Sequence, residues 1–113
     1  MGATLLNKSV RTVLVPDVGE VSLLVQIYSD GSLGLRSVDD KDGTGERVAL
    51  AALGYLREVL EADGTRHRSY WSRRKGGPMI MDALHVYGAA ERADELMNLL
   101  VTAHPSRFPV EII

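Results

Sequence analysis

The chain contains no cysteine among its 113 residues. Disulfide bonds, thiolate metal sites and a cysteine nucleophile are therefore excluded, and the composition fits a reducing compartment. No apolar stretch approaches the roughly 20 residues that a membrane-spanning helix needs. The first residues also lack the cationic opening and the long apolar run of a signal peptide. We therefore expect a cytoplasmic protein with no membrane partner.

Familiar catalytic motifs are absent as well. The sequence has no Gly-x-Ser-x-Gly, no phosphate-binding P-loop and no dinucleotide-binding fingerprint. The acidic segment 40–46 resembles a calcium loop, but Val38 and Ala49 occupy positions where the calcium-binding template requires carboxylates. No residue is a candidate for catalysis, and a small enzyme of unknown class ranks third among the functions considered.

The histidines do not form a recognisable metal-binding pattern. His67, His85 and His104 lie in three separate segments. Asp82 and His85 are three residues apart, a spacing that on a helix brings two ligands onto one face. Zinc needs four ligands, or three with a water molecule, and no second pair completes the set. We expect neither a metal nor a cofactor.

The size and composition are typical of one soluble domain that spans residues 1–113. A chain of 113 residues is near the commonest domain size. Folding at that size buries roughly two-thirds of the surface of the unfolded chain, which is enough for a core without disulfides. The composition, 45% hydrophobic and 25% charged, is that of an ordinary globular protein.

Apolar residues that recur every second position predict strands in the first third of the chain: Val10–Val15, Val21–Tyr28 and a third strand through Leu33, Leu35 and Val38. Between the second and third strands stands Asp30-Gly31, a strong hairpin signal, because a type I′ turn needs positive φ at both central residues. The pattern predicts a three-stranded antiparallel meander.

The rest of the chain is predicted to be largely helical. Thr44 can cap a helix over Glu46–Ala62 that is apolar almost all round and therefore buried. Pro78 suits the first turn of a second helix, Met79–Tyr87, and Ala89–Ala103 suggests a third. A helix-turn-helix interpretation of these two is disfavoured, because carboxylates on the last helix would face phosphates.

The tail Phe108–Ile113 is expected to pair as an edge strand or to pack on the core. The predicted fold class is α+β, with an N-terminal antiparallel three-stranded meander packed on a buried helix and a helical C-terminal half.

Positive charge is concentrated in one segment. Of the 13 Lys and Arg residues, five lie between Thr65 and Met81, where there is no Asp or Glu, although the whole chain has 15 of these acids. Two large aromatic residues lie among the cations. The segment supplies the candidate partner-binding residues: Arg66, Arg68, Tyr70, Trp71, Arg73, Arg74 and Lys75.

Three interpretations of this basic segment remain open. Trp, Tyr and Arg are enriched at protein interface hot spots, which favours a protein partner or self-association, the latter through pairing with the acidic loop Asp39–Asp42. On nucleic acid, the cations would contact phosphates and the rings would stack on bases. The third possibility is a solvated segment that is only scaffold. We expect a non-catalytic small binding or regulatory module that docks to a macromolecular partner, with a nucleic-acid-binding accessory protein as the alternative.

Overall fold

Five antiparallel strands form one sheet that carries two helices. In this computed structural model, residues 3–38, 44–73 and 76–108 are described. The elements are β1 (Leu5–Val15), β2 (Gly19–Tyr28), β3 (Leu33–Ser37), α1 (Thr44–Asp63), β4 (His67–Arg73), β5 (Met79–Val86) and α2 (Ala93–Val101), with short 3-10 turns at Ala90–Arg92 and Pro105–Arg107. The strand order is β1-β2-β3-β5-β4.

The hairpin between β2 and β3 has a tight turn at Asp30-Gly31, with a different geometry from the one predicted. The Tyr28 carbonyl accepts a hydrogen bond from the Gly31 amide at 3.0 Å, and the Tyr28 amide donates to the Ser32 carbonyl at 3.1 Å. Gly31 has φ of 83°, whereas Asp30 does not adopt positive φ. The loop is therefore one residue longer than a type I′ turn, with glycine in the left-handed position that such a loop requires.

Both helices pack on the same face of the sheet. Leu53, Leu56 and Leu60 of α1 are fully buried, and so are Leu96 and Leu100 of α2. They share one core with strand residues that alternate along the chain: Val21, Leu23, Val25, Leu33, Leu35, Leu84 and Val86. Ile27, which the sequence also assigned to this face, packs against the core but is only partly buried.

The predicted architecture, a three-stranded meander with a helical C-terminal half, is wrong. The structure is α+β with a five-stranded antiparallel sheet, and Met79–Val86 is strand β5 where the sequence predicted a helix through Tyr87. Met, Ala and Leu favour helices when neighbours are ignored. Pairing with β3 on one side and β4 on the other overrides that preference. The helix-turn-helix interpretation fails for the same reason.

The remaining helical and tail predictions have mixed outcomes. The predicted third helix begins as a 3-10 turn, and regular α-helix covers only Ala93–Val101. Phe108 is buried against the core. The rest of the predicted tail, the acidic loop Asp39–Asp42 and the Thr44 side chain lie outside the described residues.

A cluster of hydrogen-bonded polar side chains connects the end of α1 with the start of α2. The Asp63 carboxylate accepts hydrogen bonds from the amide and the hydroxyl of Thr65, and from Arg92 at 3.0 Å. Arg92 also donates to the Thr65 hydroxyl and to the Glu95 carboxylate. The Thr65 hydroxyl, followed by Arg92, lowers the pKa of Asp63 below its ordinary value of 3.8.

The central position of Leu56 predicts a large loss of stability on truncation. Leu56→Ala is expected to cost about 2–5 kcal/mol, because it removes buried methyl groups and leaves a cavity. Urea unfolding measures the loss. Val101→Ala, at an exposed position of α2, is the control and is expected to change stability by no more than about 0.5 kcal/mol. A loss below about 1 kcal/mol for Leu56→Ala contradicts a central role for α1.

The lowered pKa of Asp63 predicts a pH-dependent contribution to stability. The folded state favours the charged carboxylate, so the contribution is present above the ordinary pKa of 3.8 and is lost as pH falls through the lower folded value. The stability gap between the wild type and Asp63→Asn is therefore expected to be full at neutral pH and to close in acid. Thr65→Val, which removes the hydroxyl donor, should show the same closing gap. A gap that stays constant with pH in urea unfolding contradicts the assignment.

Candidate partner-binding surface

The face of the sheet opposite the helices is crossed by no element in the described part of the chain. Strand alternation and pairing place on it side chains from all five strands: Lys8, Val10, Thr12, Leu14, Glu20, Ser22, Leu24, Gln26, Tyr28, Gly34, Arg36, Arg68, Tyr70, Ser72, Ala83 and His85. We call this surface the open face. The paired positions Gly34 with His85 and Ala83 with Tyr70 lie near its centre.

Aromatic rings and guanidinium groups are stacked along the open face. The Tyr28 and His85 rings lie 5.6 Å apart, and His85 meets Tyr87 edge-on at 4.9 Å. The Arg66 guanidinium lies 4.5 Å from the centre of the Tyr87 ring, and that of Arg68 lies 5.3 Å from the Tyr70 ring. Both distances fall within the range of cation–π attraction, so the rings hold these two cations in place.

A depression of about 190 Å³ lies at the centre of the open face. Its lining includes two small residues, Gly34 and Ala83, together with larger side chains: Gln26, Tyr28, Arg36, Tyr70 and His85. A Cβ atom on Gly34 would lie 2.9 Å from the Gln26 side-chain oxygen and 3.3 Å from the Tyr28 ring. Glycine at this position therefore lets the two neighbouring side chains lean across β3.

The arginines near the open face differ from those elsewhere. Arg11, Arg57, Arg92 and Arg107 each pair with a carboxylate. In the described ranges, no carboxylate lies within ion-pair distance of a second group of arginines: Arg36, Arg66, Arg68 and Arg73. The one carboxylate beside Tyr70 on this side, Asp82, accepts a hydrogen bond from the Ser72 hydroxyl at 2.6 Å. Within the described residues, the cations of the open face therefore have no ion-pair partner.

The structure divides the predicted partner-binding residues between two sides of the sheet. Arg68 and Tyr70 lie on the open face, and Arg66 stacks at its margin. Trp71 follows Tyr70 directly and so points to the opposite side, as does Arg73, although Trp71 is 51% exposed and Tyr70 44%.

The last two predicted residues, Arg74 and Lys75, lie outside the described residues. A β-bulge between Tyr70 and Trp71 in the β4–β5 pairing further separates the two parts of the segment. The described residues of the basic segment therefore do not form a single surface.

The sequence-based prediction of partner-binding residues did not include four residues on or beside the open face: Tyr28, Arg36, His85 and Tyr87. The two-residue spacing of Ala83, His85 and Tyr87 was the available signal, but it carries this meaning only on a strand. With a helix predicted there, His85 was paired instead with Asp82 as a weak metal candidate. Within the described residues, no group of three or more metal-ligating side chains exists.

Comparisons with known proteins give no relative: the chain matches no protein-family model, no curated protein and no solved structure. Within the described residues, no helix is long and apolar enough to cross a membrane.

The close approach at Gly34 predicts opposite effects for two glycine substitutions. Gly34→Ala is expected to cost about 1 kcal/mol, because Gln26 and Tyr28 must move away from the new methyl group. Gly54→Ala, where an added Cβ meets nothing within 4 Å, is the matched control. It should stabilise α1 by about 0.5–1 kcal/mol, because alanine is the better helix former. Urea unfolding of both variants checks the signs, and a Gly34→Ala protein as stable as Gly54→Ala contradicts the packing described.

Proposed function

We propose that this protein is a non-catalytic binding module that docks to an acidic protein partner through the open face of its sheet. The observation that supports this most strongly is the set of arginines on and beside that face, Arg36, Arg66 and Arg68, which have no carboxylate partner in the described part of the chain. They lie beside exposed or half-exposed rings on a face that no described element covers. A cytoplasmic, regulatory setting is part of the proposal, and the absence of cysteine supports it.

The stacked guanidinium groups suit carboxylate recognition. Arg66 and Arg68 rest over tyrosine rings, which restricts their rotamers before a partner arrives. A guanidinium group over a ring still has N–H donors at its edge that can reach a partner. Arginine binds a carboxylate through two parallel hydrogen bonds, so acidic side chains of a partner are the natural ligands.

The central depression can bury a side chain of the partner, which the surface cations alone cannot do. Rim ion pairs contribute little affinity because water screens them, whereas hot spots are side chains that fill a desolvated pocket. A depression of about 190 Å³ has room for one large side chain of the partner. Tyr70, Tyr28 and His85 surround it with ring edges and faces, and Arg36 places a cation at its margin.

Nucleic acid is the second candidate for the same face. Tyrosine rings on an antiparallel sheet can stack on single-stranded bases, and nearby arginines can bind phosphates. Here, however, guanidinium groups already lie over two of the rings. The net charge of −2 also opposes a polyanion beyond the local patch. The occupied rings favour the acidic protein partner, whereas the net charge of the chain acts against either anionic partner.

Photocrosslinking at two adjacent residues tests the proposal. Benzoylphenylalanine replaces either Tyr70 or Trp71, which lie on opposite sides of β4, in the protein expressed in its native host. A partner protein is expected to crosslink at position 70 and not at position 71, because only the first lies on the open face. Nuclease treatment before recovery should leave the crosslink intact. Equal crosslinking at both positions, or none at position 70, contradicts the proposal.

Charge reversal with a control in the same strand measures the contribution of the cations. Arg68→Glu combined with Arg36→Glu is expected to weaken binding of the recovered partner at least about tenfold, because like charges then face each other across the interface. Arg73→Glu is the control, since Arg73 is exposed, has no carboxylate partner among the described residues and points to the other side. All these variants should keep their stability within about 0.5 kcal/mol, as exposed substitutions do.

The salt dependence of the same binding curves separates the two candidate functions. For a nucleic acid, each lost phosphate contact would flatten the log–log salt slope by roughly 0.7–0.9. The affinity for an acidic protein should fall less steeply as the salt concentration rises. If Arg73→Glu weakens partner binding as much as Arg36→Glu combined with Arg68→Glu does, docking through the open face is contradicted.

A further inference from the structure

The two edges of the sheet differ in their protection against pairing with another strand. Proteins blunt exposed edges with short strands, charged side chains and bulges. Strand β4 has all three: it is seven residues long, it carries exposed arginines and its pairing with β5 contains a bulge. Strand β1 is 11 residues long, contains no proline and has no partner along its outer edge within the described residues.

Exposed aliphatic side chains follow the edge formed by β1, which also carries the exposed Lys8 and a bulge near its start. Val10 is 56% exposed, Leu14 71% and Leu6 66%, although all three are strand residues. Val10 and Leu14 are on the open face, and Leu6 is at a β-bulge at the start of β1. Within the sheet, Val10 is paired with the partly buried Leu24 of β2, so the apolar stripe continues inward from the edge. The charge of Arg11, on the helix side, is already paired with Asp94.

The sequence of β1 is complementary to itself in one antiparallel register. With a two-fold axis at Val10, the two copies of Val10 face each other, Lys8 faces Thr12 and Leu6 faces Leu14. On the helix side, Ser9 faces Arg11. Apolar residues then meet apolar residues, and no two like charges are directly opposite.

The neighbouring registers are less favourable. An axis at Lys8 or at Arg11 would place two like charges directly opposite each other, which is destabilising. An axis at Ser9 would set Lys8 against Val10 and Leu6 against Thr12. Only the axis at Val10 aligns all three exposed aliphatic positions of one copy with those of the other.

We propose that the protein forms a homodimer in which the β1 strands of two copies pair antiparallel about a two-fold axis at Val10. The unpaired amides and carbonyls of the outer edge then find partners, and the exposed aliphatic side chains of both copies are buried together. A two-fold interface of this kind uses the same patch on both subunits, and it closes, so that the assembly stops at two. The two sheets become one sheet of ten strands.

Single-cysteine crosslinking tests the register directly, because the natural chain has no cysteine that could interfere. Oxidation of Val10→Cys with diamide at low micromolar concentration is expected to give a disulfide-linked dimer, since opposite residues on paired strands have Cβ atoms about 4.5–5.5 Å apart. Lys8→Cys and Thr12→Cys should each crosslink poorly alone and well when mixed. Ser72→Cys, on β4 at the other edge, is the control and should form no disulfide-linked dimer, because the two copies of position 72 lie far apart in the proposed dimer.

Sedimentation equilibrium of the full chain supplies the second measurement. The wild type is expected at twice 12.3 kDa at high micromolar concentration. Val10→Lys should shift it to a single chain mass while leaving the circular dichroism spectrum unchanged, because the side chain is exposed in each copy. A monomeric wild type, a dimer that survives Val10→Lys, or efficient crosslinking through Ser72→Cys overturns the proposal.

Discussion

The packing of two helices against a single face of the sheet determines the rest of this structure. Leu53, Leu56 and Leu60 on α1 close over the alternating apolar positions of the central strands. Because one face supplies the entire sheet side of the core, the other face has no structural need for apolar residues. A two-layer fold of this kind leaves a broad, rigid and chemically unconstrained surface, which here carries rings, cations and a depression.

The charges of the protein fall into two groups with different roles. Carboxylate-paired arginines tie elements together, as Arg92 does between α1 and α2, and Arg11 between β1 and α2. Arg66 and Arg68 form no ion pair within the described residues, and each lies instead over a tyrosine ring. A side chain that adds nothing to internal pairing but is held in one orientation is suited to an external contact.

The sequence predicts those parts of this fold that depend on near neighbours. Strands β2 and β3 follow from alternation around a short turn, and the predicted helix Glu46–Ala62 matches α1 closely. Strand β5 was not predicted because its residues favour a helix, its partner β3 is distant in the sequence, and a bulge in its pairing with the neighbouring β4 breaks its alternation. The candidate site depends on that strand, so His85 and Tyr87 were missed, and Tyr70 was grouped with Trp71 although they face opposite sides.

The position of β5 between β3 and β4 also has a consequence for synthesis on the ribosome. Leu33 pairs with Val86, so β3 emerges long before the strand that completes it. Until then the nascent chain exposes an unpaired edge and the apolar side chains beneath it. Such non-local pairing slows folding and leaves the chain open to misassembly or to chaperone binding. A stalled or truncated product that ends before β5 would be a target for quality control, because it lacks the strand that joins β3 to β4.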